Sequence, residues 1–73
     1  MSAKLMTLAR RWNVDLICVY ENAFKSGTYK WQASAVWGQR DFVRQVEGPS
    51  REAVLLLLKA EIDEARDLEV LAA

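Results

Sequence analysis

Residues 29–37 read YKWQASAVW and carry the clearest pattern in the chain. From Tyr29 onward every second residue is aromatic or alanine, and the first three residues between them are polar. Side chains of a β-strand point alternately to its two faces, so this alternation predicts a strand with one buried face. We expect Trp31 in the core. Trp37 lies beside a turn, so a position in the core and a position on a binding surface are about equally favoured for it.

A further strand is predicted on each side of this one. Residues 14–20 have a period of two, which divides their side chains between the two faces. One set consists of Val14, Leu16, Cys18 and Tyr20, and the other of Asp15, Ile17 and Val19. After a tight turn at Gly38 and Gln39, residues 41–47 form a weaker third strand whose charges predict an edge position.

Helices are predicted at both ends of the chain. Residues 3–12 place apolar side chains at helical spacing, and residues 50–69 do the same after Ser50, a good N-cap. The order helix, strand, strand, strand, helix predicts one α+β domain spanning residues 1–73. We expect a three-stranded antiparallel sheet with both helices packed on one face, which leaves the other face open to solvent or to a partner.

The composition excludes several kinds of chemistry. The chain has no histidine and a single cysteine, Cys18, so it cannot form a Ser-His-Asp triad, a Cys-His pair or a Cys/His zinc site. We therefore expect no catalytic residues, metal, cofactor or small-molecule substrate. The longest apolar run, residues 53–58, is far shorter than the roughly 20 residues of a membrane span. Together with the unpaired Cys18, this predicts a cytoplasmic protein that does not bind membranes.

Charge is balanced over the whole chain but unevenly distributed. Ten basic and ten acidic side chains cancel, yet residues 1–48 carry seven basic against four acidic, and residues 49–73 carry three against six. Phosphate neutralisation by Lys and Arg supplies most of the affinity for nucleic acids. The balance therefore favours a protein partner, and the basic first part keeps nucleic acid as an alternative.

The element order and the run GPSREA at residues 48–53 resemble the double-stranded-RNA-binding domain. In that family a glycine, a serine and basic residues open the last helix, and lysines there grip phosphates across the major groove. The resemblance implies this role for Arg51 and its neighbours. Here Arg51 is followed by Glu52, and the final helix is acidic. We therefore expect no duplex binding tighter than about 10 μM at physiological salt.

A second resemblance lies in residues 19–22, VYEN, preceded by Ile17, and in residues 40–42, RDF. These segments look similar to parts of a family of small phage-encoded anti-CRISPR proteins. Members of that family inhibit a type I surveillance complex by binding its backbone subunits. The resemblance implies that Tyr20 contacts the partner.

Seven residues are candidates for binding. They are Tyr20, Lys30, Gln32, Trp37, Arg44, Leu56 and Leu57. We expect a mixed, open sheet face composed of Lys30, Gln32, Ser34, Arg44 and Asp15 together with Ile17, Val19 and Val43.

The two leucines belong to the apolar run at residues 54–58, which exceeds one helix face. One of these leucines is then either simply exposed, or part of a homodimer seam or of a groove that binds a partner. We expect a homodimer at about tens of micromolar that Leu56→Lys or Leu57→Lys weakens.

These observations favour a small non-enzymatic protein-binding module, of the kind that phages use to inhibit or regulate a host complex. The alternative is a nucleic-acid-binding protein that uses the sheet face or the basic N-terminal part.

Overall fold

The computed structural model describes residues 3–22 and 30–72 of the chain. The elements follow in the expected order, namely α1 (Ala3–Trp12), β1 (Leu16–Glu21), β2 (Trp31–Trp37), β3 (Phe42–Gly48) and α2 (Arg51–Ala72). The strands form one antiparallel sheet in the order β1-β2-β3, so β3 is an edge strand. The α+β fold with an open three-stranded sheet is confirmed. The predicted start of the second strand, Tyr29, lies outside the described residues.

The alternation in β2 builds the core as expected. Trp31, Ala33, Ala35 and Trp37 share the face on which the helices pack. Ala33 and Ala35 are fully buried, and their small side chains let the helices approach the centre of the sheet closely. The largest fully buried side chains around them are Ile17, Val54, Leu58 and Ile62. Trp31 is only half-buried, so Trp37 is the more deeply packed of the two tryptophans.

The structure reverses the predicted faces of β1. Ile17, which was expected on the open face, pairs with Ala35 and is fully buried beneath the helices. Val19 pairs with Ala33 and packs against the same core. The branched side chains of Ile17 and Val19 fill the space that the two alanines leave. The residues that β1 exposes on the other face are Leu16, Cys18 and Tyr20.

The reason for this reversal lies in how α1 ends. Asn13 has a left-handed φ of 57°. Its amide donates to the carbonyl of Arg10 at 3.1 Å, and the Val14 amide donates to the carbonyl of Ala9 at 2.9 Å. These two bonds form a Schellman motif. Val14 is therefore part of a helix cap and is buried beneath α1, so it does not start the strand alternation that continues through Leu16.

Helix α2 is anchored at both ends of its packing surface. At its start the Ala53 amide donates to Ser50 Oγ at 3.1 Å, which confirms Ser50 as the N-cap. Further along, Arg66 donates to the carbonyls of Trp12 and Asn13, at 2.6 and 2.5 Å. A positive side chain at these carbonyls stabilises the C-terminal end of α1. Arg66 thus connects the two helices.

Candidate binding surface

The sheet face opposite the helices is formed by nine strand residues in three cross-strand rows. We call it the open face, and its rows are Leu16–Val36–Val43, Cys18–Ser34–Gln45 and Tyr20–Gln32–Glu47. The register places the first row at the end of the sheet next to the β2–β3 turn. The open face is therefore apolar at this end and polar in the middle.

Three large apolar side chains stand exposed on the open face. Leu16 is 41% exposed, Tyr20 47% and Val43 54%. No lysine or arginine is among the nine residues of this face, and Glu47 is its one charged member. The expected mixed face is thus corrected, since Ile17, Val19 and Arg44 lie on the helix-covered side. On β1, Leu16, Cys18 and Tyr20 lie on the open face in place of Ile17 and Val19.

A hydrogen bond fixes the polar row of the open face. Gln32 is buried, and its Nε2 donates to Glu47 Oε1 at 3.0 Å. Tyr20 is the cross-strand neighbour of Gln32 and stands exposed beside this pair. The amide holds Glu47 in place, so Gln32 supports the surface more than it forms part of it.

The β2–β3 turn forms the rim of the apolar end. Gly38, Gln39 and Arg40 have left-handed φ values of 65°, 57° and 75°. A Cβ on Gly38 would come within 2.7 Å of the Phe42 ring, so both space and φ require glycine there. The Gln39 amide donates to Asp15 Oδ2 at 3.1 Å. This bond holds the turn beside a depression lined by Asp15, Leu16, Val36, Gln39 and Arg40.

Trp37 does not belong to the open face. It is only 5% exposed, and its ring is stacked on Phe42 with 5.8 Å between ring centres. Its Nε1 donates to Glu69 Oε1 at 3.3 Å, and the Arg66 guanidinium lies 5.6 Å from the ring centre. The structure therefore makes Trp37 a core residue.

The two predicted basic residues of the sheet are engaged within the chain. Arg44 shares the helix-covered face with Ala35, and its Nη1 donates to the carbonyl of Val43 at 2.8 Å. Lys30, which lies just before β2, forms an ion pair of 3.1 Å with Glu21. Neither residue adds a free positive charge to the rows of the open face.

Leu56 and Leu57 lie on α2 and point in different directions. Leu57 lies beside β3, because a Cβ built on Gly48 would be 3.4 Å from its Cδ1. Leu56 is 75% exposed and lies next to α1. There it lines an apolar depression between the helices, which we call the interhelical groove. The groove residues are Leu8, Trp12, Glu52, Leu55, Leu56 and Lys59.

Within residues 3–22 and 30–72, no group of three His, Cys, Asp or Glu side chains is placed to hold a metal ion. In the same part of the chain, no helix is both long and apolar enough to cross a membrane. The side chains that the structure brings together are apolar and polar ones on the open face, with one carboxylate, and apolar ones between the helices.

No family model matches the chain, and searches of curated proteins and of solved structures found no match to it. The fold and its two apolar surfaces are therefore the basis for a functional proposal.

Proposed function

We propose that the protein is a small non-enzymatic protein-binding module and that the open face is its contact surface. The observation that carries this proposal is the exposure of Leu16, Tyr20 and Val43 on one face of the sheet. Protein interfaces have an apolar and aromatic centre from which charged side chains are depleted. Tyrosine is also among the residues that dominate interface energetics.

The charge of the open face favours a protein partner over a nucleic acid. Binding to a phosphate backbone depends on Lys and Arg, which the nine residues of the open face lack. Tyr20 is the one aromatic side chain available there for stacking on a base, and sheet platforms for single strands combine several such rings with positive charge.

The anti-CRISPR resemblance adds a partner class to this proposal. It would make the partner a subunit of a host complex, with Tyr20 in the contact. The exposure of Tyr20 is compatible with that role. A cytoplasmic location is part of the same proposal, because the exposed free thiol of Cys18 suits a reducing compartment.

Open-face variants test the proposal. Tyr20→Ala and Val43→Lys are each expected to weaken partner binding by at least about tenfold, because removing a large contact side chain from an interface or placing a charge in it costs about 1.4 kcal/mol or more. Leu68→Lys is the matched control, since Leu68 is exposed on α2, away from the sheet. The measurement is quantitative affinity purification from the native host, followed by calorimetric titration of the partner recovered.

Loss of the same partner in both open-face variants, and its retention by Leu68→Lys, would support the proposal. Equal recovery by all variants with unchanged melting curves would contradict it, because the open face would then not be the contact surface.

One observation favours nucleic acid as a second candidate function. Lys4, Arg11 and Arg51 line a single depression between α1 and the first turns of α2, and no carboxylate is among its lining residues. Lys4 and Arg11 belong to the basic first part of the chain, and Arg51 is contributed by the start of α2. Three positive charges around one depression can bind a phosphate backbone.

A titration with fluorescent duplex RNA and single-stranded DNA separates the two functions. The protein-binding proposal expects no dissociation constant below about 10 μM at physiological salt. Submicromolar binding that falls steeply with salt and is lost in Arg11→Ala would instead favour the nucleic-acid function. Arg10→Ala is the matched control, because Arg10 is exposed on α1 outside this depression.

A further inference from the structure

The interhelical groove is an apolar surface on the side of the molecule opposite the open face. Three partly buried side chains, Leu8, Trp12 and Leu55, form its base and pack against the core. Leu56 lies beside them, and its exposed fraction of 75% is the highest of the large apolar residues described. A projecting leucine thus stands next to a depression of apolar side chains on the same surface.

The charges at the rim of this groove are self-complementary. Glu52 lies four residues before Leu56 on α2, and Lys59 lies three residues after it. A two-fold axis through the region of Leu56 would align the α2 helices of two copies antiparallel. Each Glu52 would then face Lys59 of the other copy. An interface of this isologous kind uses the same patch on both copies.

The charges at the two ends of the helix layer are also complementary between antiparallel copies. Lys4 and Arg51 lie in the first turns of the two helices, where they line the basic depression. Asp63 and Asp67 are exposed further along α2, and their spacing of 7 and 11 residues from Leu56 keeps them on the same helical stripe. An antiparallel arrangement brings the basic end of each copy towards the acidic end of the other.

We propose that a second copy of this chain occupies the interhelical groove, in an antiparallel two-fold dimer in which Leu56 of each copy enters the groove of the other. The apolar groove lets Leu56 leave water, and the charge pattern sets the antiparallel orientation. The dimer leaves both open faces uncovered. It would therefore present two partner-binding surfaces on opposite sides, which increases avidity for a partner with repeated subunits.

Leu56→Lys tests the apolar part of the seam. Sedimentation equilibrium of the purified chain is expected to show a monomer–dimer equilibrium, and Leu56→Lys is expected to weaken it by at least about tenfold because a charge replaces a buried leucine. Leu68→Lys changes an exposed leucine on the same helix, outside the groove, and should leave the equilibrium unchanged. A wild-type monomer at all accessible concentrations would overturn the proposal.

Charge reversal tests the two-fold arrangement directly. Glu52→Lys alone and Lys59→Glu alone are each expected to weaken self-association by about tenfold, because two like-charged pairs replace two opposite pairs. An equimolar mixture of the two single variants should associate again, since one copy then carries two lysines at the rim and the other two glutamates. The double variant should also regain the wild-type dimer.

Lys59 also pairs with Asp63 at 2.6 Å within its own helix, so melting curves accompany each variant to show that it remains folded. Self-association that is equally strong in the wild type and in the single charge-reversal variants would overturn the antiparallel arrangement. So would an equimolar mixture that stays monomeric while the variants are folded. These measurements need no external partner, so their outcome is independent of the function proposed for the open face.

Discussion

Ile17→Asp is expected to leave the protein unfolded at room temperature. Ile17 is fully buried between the sheet and the helices, and a carboxylate in that position loses its hydration without gaining a partner. The penalty of several kcal/mol is comparable to the total stability of a domain this small, about 5 kcal/mol. Circular dichroism with a urea titration measures the loss.

Cys18→Asp is the matched control for this prediction. Cys18 follows Ile17 in the same strand but is exposed on the open face. Its substitution is expected to change the free energy of unfolding by no more than about 1 kcal/mol, the range of strand propensities. If Cys18→Asp unfolded the protein and Ile17→Asp did not, the faces of β1 would be the reverse of those described.

Trp37→Ala is expected to lower the free energy of unfolding by about 3–5 kcal/mol, the usual range for a large aromatic side chain removed from a core. Three contacts of the ring would be lost, namely those with Phe42, Arg66 and Glu69. Thermal and urea unfolding monitored by far-ultraviolet circular dichroism would measure this effect.

Two further variants separate packing from polar contacts. Trp37→Phe retains an aromatic ring and loses the hydrogen bond to Glu69, so we expect a smaller loss of about 1–2 kcal/mol. Trp31→Ala removes a half-buried ring at the other end of β2, and we expect roughly half the effect of Trp37→Ala. Equal losses for Trp31→Ala and Trp37→Ala would contradict the burial described here.

The proposed dimer and the nucleic-acid alternative make competing use of one region. In the dimer, Lys4 and Arg51 would face acidic side chains of α2 from the second copy. A chain that dimerises in this way has less free positive charge for phosphate. A dimer that dissociates on addition of RNA would therefore favour the nucleic-acid function, whereas one that persists would count against nucleic-acid binding at this depression.

The sequence by itself determined the element order and the core-facing side of β2. Helix spacing, the strict alternation of β2 and the Ser50 cap are local properties of the chain. They predict these elements correctly because the residues that form each of them are close together in the sequence. Tyr20, Leu56 and Leu57 were also identified as candidates from local pattern or resemblance, and the structure exposes all three.

Only the tertiary structure decided which face of β1 is buried and which residues make up the open face. Both sets of side chains in β1 include large apolar residues, so alternation alone does not choose between them. The Schellman motif at Asn13 and the space left by Ala33 and Ala35 made that choice. The contact of Arg66 with the end of α1 likewise spans more than 50 residues. Such contacts depend on how distant elements pack, and no local period encodes that packing.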